Sequence, residues 1–109
     1  MNYTHKELAL GKWAKLTLSE QMANIGSEVE RAINWRNKNN AEYSRLAFER
    51  ALELLDLTLS CNHVFSRLKE LARLREVLAD YFAFNNNYRS TEADLKKYFF
   101  AFNYAARAH

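Results

Sequence analysis

Proline is absent from this chain of 109 residues, and glycine occurs only at positions 11 and 26. Proline and glycine supply much of the backbone geometry that tight turns need, so this chain has few places to reverse direction. Apolar residues make up 49% of the sequence, which suits one globular domain of this length. The sequence therefore predicts long helices that are joined by short polar links.

Four helices are predicted from apolar residues that recur every three or four positions. The first starts after Thr17, and the others span about 41–59, 63–84 and 92–107. Because the links between them are short, consecutive helices should be antiparallel neighbours. The expected fold is all-α, an antiparallel up-down-up-down four-helix bundle with a short N-terminal helix or tail.

Polar residues at the helix starts predict the caps. Thr17 and Glu20 have the spacing of a capping box. Ser60 or Asn62 is the expected cap of the third helix, and Ser90 or Thr91 that of the fourth.

Each helix has its own apolar stripe. The second is apolar over so wide an arc that it is expected to be the most central helix. The third should turn inward Phe65, Leu68, Leu71, Ala72, Leu74, Leu78, Tyr81 and Phe82. The fourth should turn inward Leu95, Tyr98, Phe99, Phe102, Ala105 and Ala106.

The N-terminal residues 1–16 are separated here from the bundle domain at 17–109. Thr4 and Glu7 have the spacing of another capping box, which favours a short helix over about 5–14. Trp13 and Leu16 could dock such a helix on the bundle, and a frayed tail is the alternative.

Residues that carry chemistry are sparse. The three histidines, His5, His63 and His109, have no partner at the spacing of a zinc site or of a carboxylate-bridged metal site. Cys61 is the single cysteine, so no intrachain disulfide can form, and a small buried filler is its simplest role. The sequence therefore predicts no metal, no cofactor and no enzyme.

Three carboxylates, Glu49, Glu53 and Asp56, share one helix face. A carboxylate cluster that binds a cation or acts as acid and base is one interpretation. A solvated stripe that pairs with Arg45, Arg50 or an arginine of a neighbouring helix is the favoured one.

The compartment is expected to be the cytoplasm. No apolar stretch approaches the ~20 residues that span a membrane, and residues 1–6 lack the apolar core of a signal peptide. A chain with one cysteine suits a reducing environment.

Positive charge is slightly in excess, with a formal net charge of +3. A candidate basic patch on the third and fourth helices consists of Arg67, Arg73, Arg75, Lys96 and Lys97. Such a patch would bind nucleic acid or a nucleotide through phosphate groups. Acidic residues are interleaved with these, which favours a mixed solvated surface, so nucleic-acid binding is the alternative function.

Aromatic residues are concentrated between residues 81 and 104. Phe99 and Phe102 share one face of the last helix, whereas Phe100 and Tyr104 lie on another, and a small core cannot bury both faces. The leftover aromatic surface predicts a protein partner or a homodimer, because aromatic side chains dominate interface energies. The candidate interface residues are Tyr88, Phe100, Tyr104 and Trp13. Alternatively, the N-terminal segment covers this surface with Trp13 and Leu16.

Three stretches resemble a family of small uncharacterised prokaryotic helical-bundle proteins: residues 24–32 (NIGSEVERA), 47–58 (AFERALELLDLT) and 73–82 (RLREVLADYF). The resemblance covers roughly residues 17–107 and implies a helical bundle with no established activity.

The layout is also similar, more loosely, to HEPN-type bundles, which partner nucleotidyltransferases or act as RNases. Their RNase members carry an arginine followed four to six residues later by a histidine. Arg36, Arg89 and Arg107 are not followed by a histidine at that distance, so the RNase motif is absent.

Overall fold

A computed structural model describes residues 11–61 and 63–107. It contains four long helices, which are α1 (Leu18–Asn37), α2 (Ala41–Leu59), α3 (Phe65–Ala83) and α4 (Glu92–Arg107). No strand occurs among the described residues. The all-α prediction is confirmed, because each apolar stripe found in the sequence lies on one helix of the bundle.

Consecutive helices run antiparallel. Between α1 and α2, the hydroxyl of Ser44 donates a 2.8 Å hydrogen bond to the carbonyl oxygen of Ala32, near the end where the two helices are joined. Between α1 and α4, the side-chain amide of Asn37, the last residue of α1, donates to the carboxylate of Glu92, the first residue of α4, at 3.3 Å. In both contacts the C-terminal part of α1 meets the N-terminal part of the other helix. Helix α1 is therefore antiparallel to α2 and to α4, as an up-down-up-down bundle requires.

Side-chain hydrogen bonds start two of the helices where the sequence predicts. At α1, the Thr17 hydroxyl accepts from the Glu20 backbone N–H at 3.1 Å, and the Glu20 carboxylate accepts from the Thr17 N–H at 2.9 Å. At α4, Thr91 and Asp94 exchange the same pair of bonds, each at 3.1 Å. Both capping boxes satisfy backbone N–H groups that have no partner within the helix.

The predicted start of the third helix is wrong. The helix begins at Phe65, and its N-cap residue is Val64, whose side chain offers no capping hydrogen bond. Ser60 instead ends α2, where its hydroxyl donates to the carbonyl oxygen of Asp56 at 3.0 Å. Asn62 lies outside the described residues.

The expectation that 41–59 is the most central helix is also wrong. Among the described helices, α1 packs most extensively against its neighbours, since it lies against both α2 and α4. On α2, Tyr43 and Leu46 are exposed although they belong to its wide apolar arc. Apolar width alone therefore overstates how much of α2 is covered.

Trp13 belongs to the core rather than to an outer surface. Its side chain is only 8% exposed, and its indole N–H donates a 2.8 Å hydrogen bond to the hydroxyl of buried Thr58. The side-chain amide of Gln21 donates to the Trp13 carbonyl oxygen at 2.9 Å. The prediction of Trp13 as an interface residue is therefore corrected, because Trp13 itself packs into the bundle core.

The boundary after residue 16 thus does not separate Trp13 from the bundle core. Residues 11–13 are helical, which agrees with the short N-terminal helix. The predicted capping box at Thr4 and Glu7 lies in residues 1–10, outside the described part of the chain.

Candidate partner interface

The two faces of α4 differ sharply in burial. Leu95 and Phe99 are buried, while Tyr98 and Phe102 are half-buried and meet edge to face, with ring centroids 5.4 Å apart. The inward-facing set predicted for the fourth helix is confirmed. An aromatic pair in this geometry adds to the stability that burial alone provides.

The opposite side of the helix is exposed, and we call it the α4 outer face. Phe100 is 66% exposed and Tyr104 is 69% exposed. They are four residues apart, so their rings lie one helical turn from each other on the same face. The α4 outer face consists of exposed residues at alternating spacings of four and three, namely Ala93, Lys97, Phe100, Tyr104 and Arg107. This spacing is typical of a helix that packs against another helix.

The loop before α4 holds the helix in place through Asp80, a residue that the sequence did not single out. Asp80 is buried, and its two carboxylate oxygens accept the backbone N–H groups of Asn87 at 2.8 Å and Tyr88 at 3.0 Å. Asn86 has φ +53° and exchanges two 2.9 Å hydrogen bonds with Ser90. An aspartate in the last turn of α3, followed by an asparagine run, was the available signal for this anchor.

Tyr98 ties α4 to α3. Its hydroxyl donates to the Glu70 carboxylate at 3.4 Å. Burial, reinforced by the negative charge of Glu70, raises the pKa of Tyr98 to about 12. The protonated phenol is therefore the form that this packing favours.

A groove of about 260 Å³ runs between α1 and α4, beside the α4 outer face. Gly26 lies at its floor, where an added Cβ would stand 2.8 Å from the Cβ of Phe99. Contact this close shows that glycine allows the two helix backbones to approach. We call this cavity the α1–α4 groove, and its walls include Ala23, Ser27 and Glu30 from α1 and Lys96, Phe100 and Asn103 from α4.

Tyr88, also predicted as an interface residue, is 45% exposed but lies against α3. Its hydroxyl donates to Glu76 at 3.2 Å, and the guanidinium of Arg73 lies 5.2 Å from its ring centroid. The structure therefore brings Phe100 and Tyr104 together on one face of α4, and it places Tyr88 in contact with a different helix.

The predicted basic patch is not assembled. Arg75 points to α2, where its guanidinium binds the Asp56 carboxylate at 2.8 Å. Arg73, two residues away, lies over Tyr88 instead. Residues two apart on a helix do not face each other, which is why these two arginines diverge.

The other cations of that patch lie at two different places, with Arg67 and Lys97 at one and Lys96 at the other. Arg67 and Lys97 line the cleft between α3 and α4, and Arg67 is paired with Glu70 at 2.7 Å. Lys96 lies on the α1–α4 groove and is paired with Glu92 at 3.0 Å. The hydrogen bonds from Lys96 and Asn37 lower the pKa of the Glu92 carboxyl below its usual value. Charge in this region is therefore mixed rather than uniformly positive.

The carboxylate stripe on α2 is a solvated stripe, as the favoured interpretation predicted. Arg45 pairs with Glu49 at 2.8 Å, and Asp56 pairs with Arg75 of α3. Among the described residues, no group of three or more metal-binding side chains is close enough to hold an ion.

No helix in the described ranges combines the length and hydrophobicity that crossing a bilayer requires.

Exposed apolar residues that the sequence placed inward also occur elsewhere. Phe65, at the start of α3, is 76% exposed, with the ammonium group of Lys69 5.6 Å from its ring centroid. Phe65 stands in the first turn of its helix, beyond the part of the bundle that the neighbours cover. The helical repeat of apolar residues predicts which face of a helix turns inward, but it does not indicate where the neighbouring helices stop covering that face.

Comparisons with models of protein families, with curated proteins and with solved structures find no match to this chain.

Proposed function

We propose that this protein is a non-enzymatic helical bundle that acts through protein–protein interaction, and that it associates with itself through the α4 outer face. One observation carries the proposal: Phe100 and Tyr104 stand one turn apart and are both about two-thirds exposed. The lone cysteine, Cys61, is compatible with the reducing cytoplasm in which we place this association.

The energetics of the two rings support this. Together they expose on the order of 250 Å² of apolar surface, whose burial is worth about 6 kcal/mol. Association costs about 4–15 kcal/mol in lost translational and rotational freedom, so the rings would contribute a large share but need further contacts. Lys97 and Arg107 flank them on the same face and would form a polar rim.

Size-exclusion chromatography with light scattering, over a range of concentrations, tests the proposal. The wild-type protein should elute with a mass above that of the monomer, and Phe100→Ser should weaken association at least about tenfold. Phe65→Ser is the matched control, because it removes a ring of comparable exposure, 76% against 66%, from another helix.

The thermal unfolding of each variant separates association from folding. Phe100→Ser should melt close to the wild-type temperature when both are measured as monomers. A wild-type protein that stays monomeric at every concentration contradicts the proposal. A Phe100→Ser variant that loses stability but keeps its oligomeric state would make Phe100 a core residue instead.

A further inference from the structure

The α4 outer face by itself is too small for a stable dimer. A helix of 16 residues is about 24 Å long and about 10 Å wide, which corresponds to a footprint on the order of 240 Å². Stable interfaces bury about 800 Å² on each partner. A partner that docks on Phe100 must therefore cover a neighbouring helix as well, and α1 is the neighbour across the α1–α4 groove.

The two walls of that groove differ in shape. On α1, the side chains of Ala23 and Ser27 are small, and Gly26 between them has no side chain. On α4, Phe100 stands above the groove as a bulky ring. One wall is thus a shallow depression and the other is a ridge, so each complements the opposite wall of a second copy.

The two walls also differ in charge. The α1 wall includes Glu30, which is exposed and forms no ion pair among the described residues. The α4 wall carries Lys96, which also pairs with Glu92 on its own helix at 3.0 Å. The acidic edge of α1 and the basic edge of α4 attract each other when α1 of one copy faces α4 of the other copy.

The level of these residues along the helices decides the symmetry. Gly26 lies beside Phe99, and the two helices run antiparallel, so Glu30 is within about one residue, or roughly 1.5 Å, of the level of Lys96. Ser27 is within about two residues, or roughly 3 Å, of the level of Phe100, a distance that the Phe100 ring spans. A two-fold axis parallel to the helices places α4 of one copy over α1 of the other without shifting any residue along the axis. Residues that are level across the groove then become level across the interface.

We propose that this protein forms a two-fold symmetric dimer in which α4 of each copy lies antiparallel on α1 of the other, with Phe100 over Ser27 and Lys96 beside Glu30. The dimer rests on the proposed self-association and specifies its partner and geometry. Because such an interface is isologous, each contact occurs twice.

Charge reversal tests this geometry. Glu30→Lys places two lysines at each contact, and Lys96→Glu places two glutamates there, so each variant alone should dimerise about tenfold more weakly than the wild type. Mixing the two variants should restore dimers, because both contacts of the mixed dimer pair a lysine with a glutamate. These differences should shrink at high salt, since the charges are exposed. Glu53→Lys, an exposed reversal on α2, is the matched control and should leave the dissociation constant unchanged.

Analytical ultracentrifugation of the variants, alone and mixed, with circular dichroism to confirm that each is folded, gives distinguishable results. A wild-type dimer that both reversals leave unchanged overturns the α1–α4 geometry but keeps self-association. Reversals that weaken dimerisation without recovery on mixing also overturn the geometry. A monomeric wild type overturns the proposed function and the dimer together.

Discussion

The indole N–H of Trp13 and the hydroxyl of Thr58, 45 residues apart in the chain, form a 2.8 Å hydrogen bond inside the core. Thr58 is fully buried on α2. The bond ties Trp13, which precedes α1, to the C-terminal end of α2, so Trp13 contributes to the core and not to a partner surface.

Thr58→Val should destabilise the domain by about 1–3 kcal/mol, because it leaves the buried indole N–H without an acceptor while preserving side-chain volume. Urea unfolding followed by tryptophan fluorescence measures the change. Thr58→Ser keeps the hydroxyl and is the control, with a smaller loss expected from the missing methyl group. Equal losses in the two variants would show that the methyl group, and not the hydrogen bond, stabilises this contact.

Gly26→Ala should destabilise the protein by about 1 kcal/mol. Alanine gains about 1 kcal/mol of helix propensity, but overpacking costs about 1–3 kcal/mol when a Cβ stands 2.8 Å from Phe99. Gly11→Ala is the control, since no atom lies within 4 Å of a Cβ there. Gly11→Ala should stabilise the fold by a few tenths to about 1 kcal/mol in the same denaturation experiment. Stabilisation by both substitutions would contradict close approach of α1 and α4.

Ala51→Asp should unfold the domain, because it places an unpaired charge at a fully buried position on α2. Circular dichroism at 222 nm and its thermal melt measure the loss. Ala72 of α3 is exposed, although its stripe was expected to face inward, so Ala72→Asp introduces the same charge at the surface and should shift the melting temperature only slightly. A folded Ala51→Asp variant with an unchanged melting temperature would contradict the burial of this helix face.

Stability should fall at alkaline pH because of Tyr98. The pKa of Tyr98 is raised from 10.0 to about 12 in the folded protein, so the stabilisation is fully present below pH 10 and is lost as the pH rises towards 12. After allowance for solvent screening, the loss should be on the order of 1–2 kcal/mol.

Urea unfolding between neutral pH and about pH 11 checks this, with Tyr98→Phe as the control. Lysines and other tyrosines titrate in the same range, so the difference between the two proteins is the informative quantity. Parallel stability curves for wild type and Tyr98→Phe would show that Tyr98 does not contribute.

RNA should not bind with the steep salt dependence of a phosphate-binding surface, because Arg67, Arg75 and Lys96 are paired with carboxylates on different sides of α3 and α4. A fluorescence-anisotropy titration of single-stranded RNA at about 50 mM and 200 mM salt measures this. Micromolar affinity that is lost at the higher salt would support the nucleic-acid alternative and direct attention to Lys97, which has no ion pair in the described chain.

Local chemistry made the helices predictable. The capping boxes at Thr17–Glu20 and Thr91–Asp94 involve residues three apart, so the sequence contains both partners of each bond. The stripe of α4, with Phe99 inward and Phe100 outward, follows from the helical repeat of 3.6 residues. The start of α3 was misjudged because Val64 caps it without a side-chain hydrogen bond that the sequence could signal.

Helix number, the caps of α1 and α4 and the two faces of α4 were determined by the sequence itself, since each depends on residues within a few positions of one another. Only the tertiary structure decided that Trp13 is buried, that Phe65 is exposed and that Arg75 pairs with Asp56 of α2. Those outcomes depend on which neighbouring helix covers a residue and where that neighbour ends. Periodicity defines a face, and the contact between helices determines whether that face is covered.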